Sequence, residues 1–382
     1  TSSHHYDIII SGAGCSGLSL LVHLLQSPRF RNQQILLVDQ AVKNTNDRTW
    51  CFWENAPGTF QSIVYKEWKE LTFFSKSLEK RLELGSFVYK LIRGIDFYDH
   101  CFSIIEKNKN VRFINAPVQE LVSKGEETFA VINGEQYKAK YIFNSILFEK
   151  PQLQKGHYWL WQHFKGWIVN TKPASFHPGA ATLMDFRTSQ QNGTTFFYVL
   201  PLSDRHALVE YTLFSKELLD DADYERALKD YVETHLQIKD YTVIEKEFGK
   251  IPMTNFPFAS HAHNIINIGT AGGQTKASSG YTFQFIQKQS KAIVKGLIEK
   301  NNPLAFMQNT GRFQFYDSVL LQILSLNKMQ GDEIFTDLFR RNKAHRVLKF
   351  LDNETSVMEE IPILKSLPTG IFLKAGVKEF LS

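Results

Sequence analysis

A glycine turn near the start of the chain limits its fold more than any other feature. The run YDIIIS, beginning at Tyr6, reads as a short apolar strand. GAGCSG follows it, with Gly12, Gly14 and Gly17 in G-x-G-x-x-G spacing, and SGLSLLVHLLQS then sets Leu18, Leu21, Val22 and Leu25 on one helical face. In such a turn the first glycine permits the tight bend, the second lets the backbone approach a pyrophosphate, and the third allows close helix packing. A second apolar run, QILLVDQ, ends in Asp39, 22 residues beyond Gly17. A carboxylate there can accept both ribose hydroxyls of an adenosine and repels a 2′-phosphate. Strand, turn, helix and terminal acid together predict the first βαβ half of a doubly wound, dinucleotide-binding sheet.

The rest of the chain divides by pattern. Aromatic and β-branched residues alternate with polar ones from Arg48 to about Ser75, a helix is expected near 95–107, and VRFIN, VQELVSKG, TFAVING and QYKAKYIFNS read as strands. Long alternating strands dominate 157–251: HYWLWQHFKGWIVN, ATLMDFR, TTFFYVLPLS and HALVEYTLFS, with one helix near 216–236. NIINIGTAGGQTKASSGYTF then runs from another strand through glycines into a helix near 282–299, and short helices follow from Pro303. The expected architecture is α/β. A discontinuous Rossmann-type dinucleotide-binding domain (1–75, 95–150 and 260–302) is interleaved with a mostly antiparallel substrate sheet (76–94 and 151–259), and a helical region (303–382) follows.

Composition narrows the classes. Lys and Arg number 44 against 39 Asp and Glu, a net +5 spread thinly along 382 residues, which argues against a nucleic-acid partner. Cys15, Cys51 and Cys101 lack paired spacing, so neither a disulfide framework nor a zinc site is expected. No run approaches the roughly 20 apolar residues of a membrane span, and the first residues lack the pattern of a secretory signal. A cytoplasmic protein is the expectation.

The second glycine segment, GTAGGQTKASSG at 269–280, favours FAD over NAD, because a molecule of that length needs a second anchor. Many flavoproteins end this late strand in Gly-Asp, whose acid holds the ribityl chain. Here Gly269 is followed by Thr270 and Ala271, so the acid is absent. A helix starting near 280–283 would favour an anionic reduced flavin by about 0.3 to 1 kcal/mol.

Several blocks together carry a resemblance. DIIISGAGCSGLSL, DRTWCFWE (47–54), LWQHFKGW (160–167), ATLMDFR (181–187), FFYVLPLSDRHALVEYTLFS (196–215) and GTAGGQTKASSGYTF (269–283) resemble, in order and spacing, the bacterial and plant lycopene β-cyclases, flavoproteins of the hydroxylase-like superfamily. The resemblance implies an isomerase that closes the linear ψ-ends of lycopene into β-rings, giving γ-carotene and then β-carotene, with reduced FAD in a non-redox role and NADPH as reductant. The implied cofactor-binding set is Gly12, Ala13, Gly14, Gly17, Asp39, Arg48, Val118, Gly269 and Gly272. Plant members carry two adjacent acids in the block matching LVEYT. Here Glu210 is followed by Tyr211, which puts a two-carboxylate mechanism in doubt.

Ring closure needs a proton delivered to an unactivated alkene, a cation shielded from water, and a proton removed from the adjacent carbon. At its reference pKa of about 4.3 a Glu costs about 3.7 kcal/mol to protonate at pH 7. Burial removes that cost by raising a carboxyl pKa by as much as about 3 to 5. Glu210 lies among apolar residues in ALVEYTLF and, with the resemblance, is the candidate general acid; a strand Glu facing solvent is the plainer alternative. Trp50, Phe52 and Trp53 are candidates for a cation-stabilising lining, and Trp159, Trp161 and Trp167 for the sheet facing the polyene, against simple core packing. The 31 Phe, against 14 Tyr and 6 Trp, suit an apolar tunnel. Arg48 either reaches cofactor phosphates or forms a surface ion pair, and Asp185 with Arg187 is placed near the substrate pocket.

A water-insoluble polyene has to be taken from a bilayer, so peripheral contact with membrane lipid is expected. Two segments qualify: the basic run at 339–350, in which Arg340, Arg341, Lys343 and Arg346 interleave with Phe339, Val347 and Leu348, and IPILKSLPTGIFLKAG (361–376). A flavin monooxygenase acting on an apolar substrate, or a non-catalytic flavin- or lipid-binding relative, are the rival readings.

Overall fold

Ile8, Ile9 and Ile10 are at most 1% exposed in the computed structural model, which describes residues 4–124, 127–308 and 310–381. A strand buried on both faces needs parallel neighbours covered by helices. Strand His4–Ser11 accordingly pairs in parallel with Ile35–Asp39 on one side and with Glu135–Asn144 on the other. Val111–Asn115 extends the sheet beyond Ile35–Asp39, and Ile265–Asn267 pairs in parallel with Glu135–Asn144. The late glycine segment thereby returns to the side of the first glycine turn. Helix Cys15–Leu25 packs on helix Phe283–Lys300, partly through buried amides: Gln287 donates to Ser19 Oγ at 2.9 Å, and its Oε1 lies 3.0 Å from His23 Nε2.

The second layer is a seven-stranded sheet in the order Tyr241–Thr254, Trp159–Thr171, His206–Ser215, Thr194–Pro201, Ala180–Asp185, Glu70–Ser75, Leu78–Leu82. Every pairing is antiparallel except that of Ala180–Asp185 with Glu70–Ser75. One face packs under helix Asp221–Asp230 and the turn that follows it. The other meets the C-terminal helices and a cavity. Thr49–Glu54, Val88–Arg93 and Lys66–Trp68 form a separate three-stranded sheet between the two layers.

This arrangement is the expected α/β fold with its interleaved antiparallel layer, and it moves two segments. Glu70–Ser75, placed above in the dinucleotide unit, joins the second sheet, because its alternation buries Leu71 and Phe73 against that core. Val88–Arg93, placed above in the substrate sheet, pairs with TWCFWE instead.

Among the described residues five helices follow position 310: Gly311–Ser325, Gly331–Arg341, Ala344–Leu351, Val357–Ser366 and Thr369–Phe380. The basic run at 339–350 does not offer its apolar side to a lipid surface. Phe339, Val347 and Leu348 are at most 1% exposed in the main core, so this amphipathic stretch is a core cover with a solvated basic side. Among the described residues no helix is long and apolar enough to cross a membrane.

Candidate active site

One cavity of about 570 Å³ joins the two layers. Gly14, Cys15 and Ser16 line one part of it, Thr270 and 280–283 another, and Tyr198, Leu208 and Glu210 of the second sheet a third. Two helices begin on this space, Cys15–Leu25 and Phe283–Lys300. Neither has a side chain capping its N terminus or an acid in its first turn. Both therefore present N–H groups and a positive dipole end, the arrangement that receives anions.

The three glycines of the first turn divide the work as their spacing predicts. Gly12 adopts φ +101°, and a Cβ there would stand 2.2 Å from Ser145 Oγ. A Cβ on Gly17 would stand 1.9 Å from the Gly12 carbonyl oxygen. Nothing lies within 4 Å of a Cβ position on Gly14, so the bare backbone faces open cavity. Asp39 ends its strand with Oδ2 accepting the Ala13 N–H at 2.6 Å, Oδ1 accepting the Ala41 N–H at 2.7 Å, and Lys43 at 3.6 Å. The acid thus also ties the turn to the second strand. The donor-rich turn, the open Gly14 and the two uncapped helices fit an anionic dinucleotide.

Glu210 reaches the same cavity from the middle of strand His206–Ser215. Its neighbour across the sheet is Gly166, and on the far side of Gly166 stands Glu247. All three share one face of the sheet, and Glu210 is the one that lines the cavity. Because Gly166 has no side chain, the two carboxyl groups meet over it: a Cβ there would stand 2.9 Å from Glu247 Cγ and 2.9 Å from Leu208 Cδ1. The two carboxyl groups are buried side by side, each acting on the titration of the other. Thr212 donates to Glu210 Oε1 at 2.7 Å, and Thr49 donates to Glu247 Oε2 at 2.7 Å. Two like charges buried in one site disfavour each other, so one proton stays with the pair. Burial, then the charge of Glu247, holds the Glu210 carboxyl well above the ordinary carboxylate range. Burial raises Glu247 as well, and its contacts with Thr49 and Glu210 offset only part of that rise. The pair therefore holds a proton between its two members, and Glu210 is the member that opens onto the cavity.

The adjacent-acid pattern could not have made this pair. Successive strand residues face opposite sides of a sheet. Tyr211 accordingly packs under the Asp221–Asp230 helix with Trp167 and Val209, away from Glu210. The partner has to come from a neighbouring strand, and here it comes from two strands over.

Beside Glu210 three tyrosines close the wall. The Tyr281 hydroxyl lies 3.4 Å from those of both Tyr89 and Tyr198. Burial raises all three phenols, so they stay neutral at any physiological pH. Their rings, with Trp50, Phe164 and Phe283, give the cavity aromatic surface.

Of the residues singled out from sequence, Gly14, Arg48, Trp50 and Glu210 line this cavity. Arg48 combines both readings, since it pairs with Asp47 at 3.0 Å while standing beside Gly14 and Cys15. Gly269, at φ +59°, approaches Ser16 so closely that a Cβ would stand 2.3 Å from its Oγ. Gly272 lines an adjoining cavity that shares Pro252 and Thr270 with the first, and Val118 is buried among Ile9, Val38 and Ile142, away from the first. Trp53 and Phe52 sit one layer back, with ring centroids 4.5 Å from Tyr281 and Phe283. Asp185 is not a pocket residue: its carboxylate is buried, held by Arg187 through two nitrogens at 2.9 and 2.7 Å and by the Tyr231 hydroxyl at 2.7 Å. Trp159, Trp161 and Trp167 do not line the cavity either. They occupy alternate positions of their strand, and Gln162, Phe164 and Gly166 between them take the cavity side.

Sequence reading missed Glu247, Thr49, Thr212 and the three tyrosines. Glu247 lies in an edge strand whose composition, YTVIEKEFGK, looks wholly solvated. The available signal was Gly166, a glycine inside an otherwise aromatic strand.

The family model described as lycopene cyclase protein matches residues 7–375. A curated lycopene beta-cyclase from Pantoea ananas is 28% identical over 261 residues, 65% of this chain; the match spans 63% of that relative's length. Among solved structures, a flavin-dependent brominase aligns with a TM-score of 0.64 at 12% identity, covering 98% of this chain and 99% of its own. A flavoprotein/dehydrogenase from Cytophaga hutchinsonii aligns with a TM-score of 0.64 at 9% identity, covering 99% of each. A geranylgeranyl bacteriochlorophyll reductase-like protein from Thermoplasma acidophilum aligns with a TM-score of 0.59 at 12% identity, covering 100% of this chain and 98% of its own. At such identities the three speak for the fold, and the family match, running through nearly all of the chain, settles kinship: this chain belongs to the lycopene cyclase protein family.

Proposed function

We propose that this chain cyclises the linear ψ-ends of lycopene to β-rings, an isomerisation, with Glu210 as the general acid and reduced FAD as a non-redox cofactor supplied with electrons by NADPH. The observation that carries the proposal is the single cavity in which the glycine turn of a dinucleotide fold and a buried, proton-bearing glutamic acid face the same space. The doubly wound unit holds the dinucleotide and the antiparallel sheet delivers the proton.

The residues have definable tasks. Gly14 and the N terminus of Cys15–Leu25 receive the pyrophosphate, with Arg48 beside them. The N terminus of Phe283–Lys300, together with Thr270 in place of an acid, favours negative charge on the flavin ring system. When bound and reduced, FAD supplies an anionic surface that attracts a developing carbocation. Glu210 gives its proton to the terminal alkene. The aromatic walls, at about 2 kcal/mol for each desolvated cation–π contact, shelter the tertiary cation while the ring closes. Loss of a proton from the adjacent ring carbon completes the reaction with no atoms gained or lost, and the ionised Glu210–Glu247 pair is the base positioned to accept it.

Anaerobic incubation of lycopene in liposomes with the chain, FAD and reductant tests this, with wild type compared with Glu210→Gln. The expected result is β-ring product from wild type without oxygen and with only catalytic reductant, and none from the variant. Unchanged ring formation by Glu210→Gln removes the acid role. An oxygenated product with stoichiometric NADPH consumption assigns the chain to monooxygenase chemistry instead.

A further inference from the structure

Surface helices of a soluble fold turn their apolar residues inward. The last two helices do so with only part of theirs. In Val357–Ser366 the inner side is Glu360, Ile363 and Ser366, while Val357, Met358, Ile361 and Leu364 are exposed. In Thr369–Phe380 the buried contact is Ala375, while Leu373, Val377 and Phe380 are exposed, Phe380 at 82%. Leu381 continues the same side. Elsewhere in the chain large exposed apolar residues occur singly or in pairs; here they recur at helical spacing on consecutive helices.

The charges of this surface have one sign. Lys365, Lys374 and Lys378 are exposed. The acids of the two helices are drawn inward or neutralised: Glu360 is buried against Arg312, Glu359 pairs with Lys349 at 2.7 Å, and Glu379 accepts from Ser318 and from Gln322. Apolar side chains interleaved with lysines are the composition of an element that lies in a membrane interface, with its apolar side among acyl chains and its cations at anionic headgroups.

We infer that helices Val357–Ser366 and Thr369–Phe380 form a docking face for an anionic lipid bilayer. The inference deepens the proposed function, since a polyene substrate resides in such a bilayer, and for its purpose it rests on that reading. Its physical basis, exposed apolar area beside cations of one sign, does not.

Vesicle co-sedimentation of the purified chain tests it, on phosphatidylcholine alone and on equal parts phosphatidylcholine and phosphatidylglycerol. Wild type is expected to sediment with the anionic vesicles. Replacing Lys365, Lys374 and Lys378 by Gln should weaken binding to anionic vesicles about a hundredfold, from about 1 kcal/mol per lysine near a charged surface. Binding to phosphatidylcholine should not change. Leu373→Ser with Val377→Ser and Phe380→Ser should abolish binding to both. These side chains are exposed, so the variants should keep the wild-type melting temperature. Both should also keep wild-type ring formation from detergent-dispersed lycopene, which separates a failure of docking from a failure of the proposed activity. Wild type left in the supernatant with anionic vesicles, or either variant binding like wild type, overturns the inference. So does a wild-type dimer that the serine variant dissociates, since that assigns the face to a second copy of the chain.

Discussion

If Glu247 holds the Glu210 proton in place, neutralising it must weaken that hold. Replacing Glu247 with Gln keeps the shape, the Thr49 contact and an acceptor oxygen, and removes one negative charge from beside Glu210. Two unit charges about 4 Å apart interact by about 4 kcal/mol at an effective dielectric of about 20, which corresponds to about 3 pH units as an upper bound. The Thr212 and Thr49 donors spread each charge, and burial, the larger cause of the Glu210 shift, survives the substitution. The expected displacement is therefore downward and smaller than that bound. The sign follows from the chemistry. In the proposed reaction Glu210 acts in its protonated form, so activity is expected to fall as pH rises through its pKa, and a lower pKa moves that alkaline limb downward. Initial rates of β-ring formation across pH, in vesicles with excess reductant, read the limb directly. Glu247→Gln should be nearly as active as wild type in acid and much less active in alkali, while Glu210→Gln should be inactive throughout. An alkaline limb that stays put in Glu247→Gln refutes the coupling between the two groups.

Three further outcomes follow from the geometry. Gly166→Ala forces a Cβ to within 2.9 Å of both Glu247 and Leu208. Overpacking of this kind costs about 1 to 3 kcal/mol, so a lowered melting temperature together with the same downward movement of the alkaline limb is expected. Gly14→Val should fold and melt like wild type but purify with little flavin absorbance, because the space around it is empty, whereas Gly17→Val should fail to fold, because its Cβ meets the Gly12 carbonyl. Finally, Glu210 has a folded pKa above its unfolded one, so its contribution to stability is complete below about pH 4.3 and is lost as pH rises towards the folded value. Glu210→Gln should thus match wild type in acid melts and exceed it at neutral and alkaline pH; a variant less stable than wild type at pH 8 contradicts the buried proton.

How far the sequence discloses this molecule depends on whether a signal is local. The glycine turn, its strand and its helix are contiguous, and each part of that pattern has one structural meaning, so Gly12, Gly14, Gly17 and Asp39 stand where the spacing puts them. Glu210 is legible only with the family likeness, since a strand Glu by itself is equally consistent with solvent. Glu247 is hidden because its meaning comes from register: it faces Glu210 only because Gly166 lies between them, and register across three strands is not written in any one segment. Trp167 and Asp185 show the converse. Aromatic and charged residues beside matching motifs look functional, yet strand parity sends Trp167 to the other face, and Arg187 and Tyr231 occupy the carboxylate of Asp185.

The pair eases the return of the proton rather than its departure. A carboxyl kept neutral by burial alone is easy to protonate but a reluctant donor, because giving up the proton leaves a lone charge in a poor solvent. With Glu247 alongside, the proton given up by Glu210 leaves two carboxylates facing each other over Gly166, held by the Thr212 and Thr49 hydroxyls. That dianion is a stronger base than either group alone, and its Glu210 member faces the cavity in which the proposed cation would form. The attraction between dianion and cation favours the transfer, and the repulsion within the pair favours recovery of a proton from the ring. Taking the proton back restores the acid without solvent entering the cavity. Water is the one nucleophile that would turn a cyclised product into an alcohol, so a site that must exclude it gains from an acid that regenerates itself.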